Sequence, residues 1–378
     1  MVASYCATFL KPEMLHIYRQ ITSLRRVRPV VIARKRENAD RFPFENIRIV
    51  KKLPLHFLRR IWFKQIANRP LRISASEVRA IERVLGEIEA QLLHIYFGHI
   101  AVLLHPLIRQ WRKPTIVSFH GADVLVDMQK RSYRNATEEM LTLVKRVLVR
   151  SESLKRAVIE LGCASQKIEI QRTGIPLNEF PFRARNAPDR GEWRLLQAGR
   201  LIEKKGIKTT LRGFTKFLRE FPAAKLTVAG DGPQLTELQS LARELQIDAA
   251  VRFPGFVSQE QLRELLYASH IFLHPSETGR DGNQEGVPNS MLEAMATGLP
   301  AFATRHGGIP EAVEDNVSGI LVEEHDYDSL GNALVDCAKD SSRLVAMGRA
   351  AWENVARNFS QTEQTRRLEE IYLREIGS

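Results

Sequence analysis

The sequence predicts an α/β protein built on doubly wound parallel sheets, and three observations carry that expectation. Short apolar runs of strand length alternate with segments of helical period along most of the chain. Several of the runs end in glycine- or proline-containing turns, as strands do where they feed a ligand-facing edge. The stretch 181–192, P-F-R-A-R-N-A-P-D-R-G-E, lacks periodicity and reads as a linker between two such series. A length of 378 residues also suits two domains better than one core. The expected division is residues 1–180, residues 181–358, and a C-terminal helix within 359–378 that crosses back to the first domain.

Apolar residues make up 44% and charged residues 26%, ordinary values that exclude a disordered or fibrous chain. The mostly apolar run around Ile100–Ile108 is broken by His105 and Pro106, and is far short of the roughly 20 residues a membrane helix needs. No basic segment precedes an apolar one at the N-terminus, so no secretory signal is expected there. Cys6, Cys163 and Cys337 are scattered, which favours thiols in a reducing cytoplasm over a disulfide framework or a metal pair. The net charge of +12 is unevenly spread: residues 1–175 hold 32 Lys+Arg against 15 Asp+Glu, and the remainder 24 against 29. The basic half is expected to face something anionic.

Taken in order, Val2–Phe9 reads as a first strand, Met14–Leu24 as a helix, and Pro29–Ala33 and Ile47–Val50 as further strands. Residues 46–76 contain no acid. Within them Phe57, Leu58, Ile61, Trp62 and Phe63 alternate with Lys51, Lys52, Arg59, Arg60 and Lys64, a mixture that suits either an interfacial helix on anionic lipid or a solvated basic face packed on the core. No nucleic-acid-binding motif accompanies the charge, so nucleic acid is not an expected partner. Gln91–Tyr96 and Pro114–Phe119 read as buried strands, the second running into His120-Gly121-Ala122-Asp123, where a histidine would face the ligand edge of a parallel sheet or serve only structure. Arg146–Arg150 and Ile168–Gln171 continue the alternation.

The second series opens with the strand Trp193–Ala198 and the loop G-R-L-I-E-K-K-G. There Gly199 permits a tight turn, and Arg200, Lys204 and Lys205 gather charge suited to a diphosphate. Ser258 and Gln261 form a capping box before the next helix. Asp281 to Thr304 is the densest stretch. Glu285 and Glu293 flank a Gly-Val-Pro-Asn-Ser loop ahead of a helix, where unpaired N–H groups favour a phosphate and carboxylates could accept hydrogen bonds from sugar hydroxyls. Ser290 with Glu293 also reads as a capping box, with Gly298 at the C′ position and Pro300 beyond it. Asp326-Tyr327-Asp328 precedes a helix from Leu330 and reads as a cap rather than a metal motif, and no strand-placed G-x-G-x-x-G occurs. Glu363–Ile376 closes the chain as an amphipathic helix.

The segments A-G-R-L-I-E-K-K-G (198–206), V-A-G-D-G-P (228–233), F-P-G-F-V-S (253–258), H-P-S-E (274–277), E-G-V-P-N-S-M-L-E-A-M-A-T-G-L-P (285–300) and H-G-G-I-P-E (306–311) resemble the retaining glycosyltransferases of family 4. The D-G-N-Q-E-G variant at 281–286 further resembles the branch that builds capsular polysaccharide and colanic acid. That resemblance implies a GT-B fold, two Rossmann-like domains facing each other across a cleft. It implies transfer of a sugar from a UDP- or GDP-sugar to a lipid-linked or oligosaccharide acceptor, with retention, no metal and no other cofactor. Arg200 and Lys205 would neutralise the leaving diphosphate, Glu285 would bind donor-sugar hydroxyls, and His120 would be the cleft histidine near the transferred sugar. Glu293 would bind the ribose, the backbone of Gly286, Val287, Asn289 and Ser290 would line the sugar and diphosphate with Gly199 and Asp281 nearby, and Gly255, Phe256 and Val257 would lie near the base. Two features depart from the pattern: Thr8-Phe9-Leu10-Lys11-Pro12-Glu13 replaces a glycine-rich loop after the first strand, and Pro288 lacks an N–H. Other readings on the same fold are a nucleotide-sugar epimerase or a non-transferring nucleotide-sugar binder. The expected location is the cytoplasm, peripheral to the inner face of the membrane through the basic half.

Overall fold

The computed structural model describes residues 1–11, 14–51, 59, 61–63, 68–121, 124, 130–280 and 284–377. The chain forms two compact units, Met1–Gly174 with Gln361–Ser378, and Ile175–Ser360. The expected boundary at 180/181 falls inside the second unit, because Ile175 and Phe180 are buried in its core and Ile175 N–H donates to the carbonyl of Phe359.

The first unit carries seven strands: β1 (Val2–Phe9), β2 (Pro29–Arg36), β3 (Ile47–Ile49), β4 (Leu92–Tyr96), β5 (Thr115–Ser118), β6 (Arg146–Val149) and β7 (Ile168–Ile170). They pair in parallel in the order β3-β2-β1-β4-β5-β6-β7. Val2, Leu92, Ile116 and Leu148 turn one apolar face of this sheet toward the helix Gln361–Ile376, whose Leu368, Ile371 and Tyr372 cover it. Polar contacts fix the register of that helix: Tyr372 Oη lies 2.6 Å from His94 Nδ1, and Glu375 accepts from Arg146 Nη2 at 2.6 Å. Its burial follows from apolar residues at helical spacing, which have no other surface to cover in a two-faced parallel sheet.

The second unit carries β8 (Arg194–Ala198), β9 (Lys225–Ala229), β10 (Val251–Gly255), β11 (Ile271–His274), β12 (Ala301–Thr304) and β13 (Gly319–Val322), parallel in the order β10-β9-β8-β11-β12-β13. The order reverses between β1 and β4 in one sheet and between β8 and β11 in the other. At such switch points the loops leaving the carboxyl ends of adjacent strands diverge to opposite faces and open a crevice.

Residues 181–192 are not a free linker. Arg185 is buried in the second unit and gives its guanidinium to the carbonyls of Ser269 and Leu266 and to Thr297 Oγ1, while Arg183 N–H donates to the carbonyl of Thr297. The segment lacks periodicity because it is held by irregular polar contacts rather than by a repeating face. Among the caps, Ser258 and Gln261 exchange both bonds of the expected capping box. Asp326 accepts from Ser329 N–H at 2.9 Å as a helix cap, although its helix starts at Tyr327 rather than at Leu330.

Candidate active site

In the second unit the loop leaving β8 returns through a short turn, Glu203–Lys205, that is closed by Gly206 in the left-handed region at φ +58°. A Cβ on Gly206 would sit 1.7 Å from the carbonyl oxygen of Pro275, so only glycine lets this turn lie against the end of β11. The turn is tied down further by Gln197 Nε2 donating to the carbonyl of Lys205 at 2.7 Å, and by Glu277 N–H donating to that of Lys204 at 3.1 Å. The two lysines are thereby aimed at one carboxylate. Glu285 Oε2 lies 2.9 Å from Lys205 Nζ and 3.5 Å from Lys204 Nζ, all three side chains largely buried.

Burial alone would raise the Glu285 carboxyl, but the ammonium charges of Lys205 and Lys204 outweigh it and hold the group down to about 2, so it is ionised at neutral pH. Burial lowers Lys204 in turn, and the Glu285 charge opposes that fall. His274, fully buried at the end of β11, is pushed down to about 3 by burial and then by Lys205, so it is neutral. Two lysines thus meet one carboxylate beside a neutral imidazole, leaving an excess of positive charge.

The other sequence-selected residues of this unit fall around the same strand ends. Gly199 leaves β8 with its α-carbon facing the Lys205 stem, where an added Cβ would stand 3.5 Å from Lys205 Cε. Arg200 follows it and is exposed. Gly286 is buried, Val287 packs on the core, and Ser290 Oγ donates to the carbonyl of Ala198 at 2.8 Å. Gly255 ends β10 at φ +75°, Phe256 is 63% exposed beside it, and Val257 packs inward. Asp281 lies outside the described residues, as do Ala122 and Asp123.

The expected Ser290–Glu293 capping box does not form. The helix runs Asn289–Ala296 with Pro288 as its N-cap and no side-chain cap, so Ser290 stands inside the first turn and spends its hydroxyl on β8. Glu293 is buried at 4% exposure on the helix body rather than at its N3 position. At the other end Gly298 takes the expected C′ place: at φ +89° it donates to Met295, and Leu299 donates to Ala294, the paired bonds of a Schellman motif.

His120 belongs to the first unit, just past β5. Arg150 Nη2 lies 3.2 Å from its Nδ1, His16 Nε2 lies 3.1 Å from the same atom, and Ser118 Oγ lies 2.9 Å from its Nε2. A guanidinium can only donate, so Nδ1 accepts and Nε2–H points to Ser118. Burial, then Arg150 and His16, keep the ring neutral, its pKa held well below the ordinary histidine value. Sequence reading selected His120 but missed Arg150 and His16, which arrive from just past β6 and from the helix Leu15–Thr22 and share no spacing with it. It also placed Lys204 in the basic loop without pairing it to Glu285. Only the left-handed Gly206 turn, invisible as a motif, brings both lysines to the carboxylate.

Residues 178–354 match the family model described as "Glycosyl transferases group 1", and residues 15–179 match "Glycosyltransferase Family 4". The chain is 31% identical over 292 residues to the amylovoran biosynthesis glycosyltransferase AmsK of Erwinia amylovora, covering 75% of this chain and 70% of that one. It is 31% identical over 251 residues to the putative colanic acid biosynthesis glycosyltransferase WcaL of Salmonella typhimurium, a match that covers 66% of this chain and 62% of WcaL. In fold it resembles HepE of Anabaena, solved in complex with UDP, with a TM-score of 0.78 at 17% identity over 98% of this chain and 99% of that one. These relatives are transferases, and none of those named is an epimerase. The chain belongs to the glycosyltransferases that join a Family 4 module to a group 1 module, on the GT-B fold.

Proposed function

We propose that the protein transfers a sugar from a UDP- or GDP-sugar to a lipid-linked or oligosaccharide acceptor in the building of a cell-surface polysaccharide, with retention and without a metal or other cofactor. The observation that carries this reading is the pair of ammonium groups, Lys205 and Lys204, converging on Glu285 where β8 and β11 diverge. A diphosphate entering there meets fixed side-chain cations with Arg200 at the rim, which do for the leaving group what a metal does elsewhere. The names of AmsK and WcaL support the polysaccharide context, and the UDP bound to HepE supports a nucleoside-diphosphate donor.

In this reading the acceptor hydroxyl attacks the anomeric carbon from the face the diphosphate leaves. The bond from carbon to phosphate oxygen breaks as the new glycosidic bond forms, and the acceptor proton passes to the departing phosphate oxygen. Glu285 accepts from donor-sugar hydroxyls, Glu293 from the ribose, and Gly199 with the backbone of Gly286, Val287, Asn289 and Ser290 lies along the diphosphate. Asp281 is taken as a donor-binding residue from its place in the sequence, Gly255 to Val257 lie near the base, and His120, neutral in the first unit, near the transferred sugar.

Thermal melting across UDP-, GDP- and ADP-sugars tests the donor. One UDP- or GDP-sugar is expected to raise the melting temperature by several degrees at saturating concentration. Transfer is expected to keep the donor's anomeric configuration and to survive EDTA. An inverted product, or activity lost to EDTA and restored by Mg²⁺, would sink the corresponding part of the reading.

Peripheral membrane binding through the basic half is part of the same proposal. No helix among the described residues is long and apolar enough to cross a membrane. Arg59, one of the residues first considered for lipid contact, instead pairs with the buried Glu77 at 3.2 Å and donates to the carbonyl of Arg72. The test therefore neutralises Lys51, Lys52 and Arg60 and spares Arg59. Partitioning onto phosphatidylserine vesicles, read by flotation, is expected to fall by about two orders of magnitude, on the order of 1 kcal/mol for each of the three basic residues near the surface. Unchanged flotation would remove the membrane from the account.

A further inference from the structure

The loop that carries Glu285 is fixed by two side chains, His306 and Glu324, to which the sequence reading gave no role. The backbone N–H of Glu285 donates to His306 Nε2 at 2.9 Å, and the opposite ring nitrogen, Nδ1, lies 2.6 Å from Glu324 Oε1. His306 follows β12 and Glu324 follows β13, so consecutive strands supply a chain of contacts that ends on the loop after β11. A backbone amide can only donate, so Nε2 must offer its lone pair, and a neutral ring then carries its proton on Nδ1, directed at Glu324.

Glu324 holds a second loop as well. Its Oε2 accepts from Thr278 N–H at 2.7 Å and its Oε1 lies 3.3 Å from Thr278 Oγ1, contacts that favour the charged carboxylate. Burial would raise this carboxyl, but its bonds to His306 and Thr278 outweigh it and keep the group low. Thr278 directly and Glu285 through His306 are thus tied to one carboxylate. The close approach is specific to glycine at the next position: Gly307 has φ +54°, and a Cβ there would lie 2.0 Å from the carbonyl oxygen of Glu285. Gly308 N–H faces the carbonyls of Glu285 and Gly286 at 3.4 and 3.2 Å.

We infer that His306 is a positioning residue for Glu285, locked in the Nδ1–H tautomer by Glu324, and that this pair sets the backbone turn from which the Glu285 carboxylate reaches Lys204, Lys205 and the donor sugar. His306 is 1% exposed, so it acts through Glu285 rather than on substrate. The inference rests on the reading of Glu285 as the donor-sugar carboxylate. The chain of contacts itself does not depend on that reading.

Two measurements separate them. Ring nitrogen shifts of histidine-labelled protein at pH 8 need no ligand, and are expected to show His306 neutral with a proton on Nδ1 and none on Nε2. An Nε2–H ring, or a doubly protonated one, overturns the inference. The second measurement is donor turnover, followed as nucleoside diphosphate released from UDP-glucose and from GDP-mannose. His306→Gln leaves an amide oxygen within reach of the Glu285 N–H and is expected to keep kcat within about tenfold, whereas His306→Asn, which reaches only toward Glu324, is expected to lose about 10²-fold in kcat with KM little changed, the scale of a small misplacement at a reacting centre. Equal losses in the two variants, or losses that follow their melting temperatures, overturn the positioning role. Should the wild type turn over neither donor, it is the proposed donor class that fails, and the ring tautomer still decides the contact chain.

Discussion

Glu285→Ala is expected to lower sugar transfer by about 10²–10³-fold in kcat, the size of effect seen when one preorganised group is removed from a developing charge. Affinity for the free nucleoside diphosphate should move the other way or stay level. In the protein as it stands, Lys205 and Lys204 are engaged by the Glu285 carboxylate at 2.9 and 3.5 Å, so removing it frees both ammonium groups for phosphate oxygens. Lys204 loses the charge that opposes its depression by burial, which limits the gain. Steady-state transfer together with calorimetric titration of UDP and GDP reads both effects. Undiminished transfer to the true acceptor would falsify the assignment of this site, whatever the nucleotide affinity does.

Lys205→Met should be nearly as damaging to transfer, and it also has a signature in stability. The Glu285 carboxyl sits at about 2 in the folded protein against an ordinary value of 4.5. A depressed carboxyl stabilises the fold above the unfolded value, and that contribution is lost as pH falls through the folded one. Burial pushes this group up and Lys205 is the strongest influence holding it down, so without Lys205 its folded pKa rises and the stabilisation shrinks. Lys204 remains at 3.5 Å, which keeps the penalty below the roughly 3–5 kcal/mol of a fully orphaned buried charge. Urea denaturation should therefore show the largest gap between wild type and variant near neutral pH, narrowing as the solution is acidified below about pH 4.5. A gap independent of pH would mean that the lysine stabilises by packing alone.

Much of the second unit was legible because its signals are local. Glycines at strand ends and the Ser258–Gln261 box depend on residues within one or two turns of each other, as does the amphipathic C-terminal helix of the first unit. Glu285 stood out for the same reason, in a crowded loop before a helix. The misreadings have a common cause. Ser290 and Glu293 match a capping pattern, yet the helix begins at Asn289, so Ser290 stands inside its first turn and donates instead to the carbonyl of Ala198, which is distant in sequence. Residues 181–192 look like a linker because Arg185 is satisfied by carbonyls of Leu266 and Ser269, contacts that leave no periodic trace. Of the two readings left open for the basic stretch, the pairing of Arg59 with Glu77, the first acid after it, puts Arg59 against the folded chain, a contact between side chains 18 residues apart that no local pattern shows.

The sequence by itself determined the class of fold, the order of strands and helices, and the charge character of the proposed donor site, since hydrophobic period, glycine placement and charge are properties of neighbouring residues. Tertiary structure alone decided which charges meet. Lys204 and Lys205 reach Glu285 only because Gly206 can adopt φ +58° beneath the carbonyl of Pro275. His306 and Glu324 hold the Glu285 loop only because parallel pairing sets the ends of β11, β12 and β13 side by side. Hydrogen bonds and ion pairs act over a few ångströms, and in a parallel sheet those few ångströms join residues that the chain itself keeps far apart.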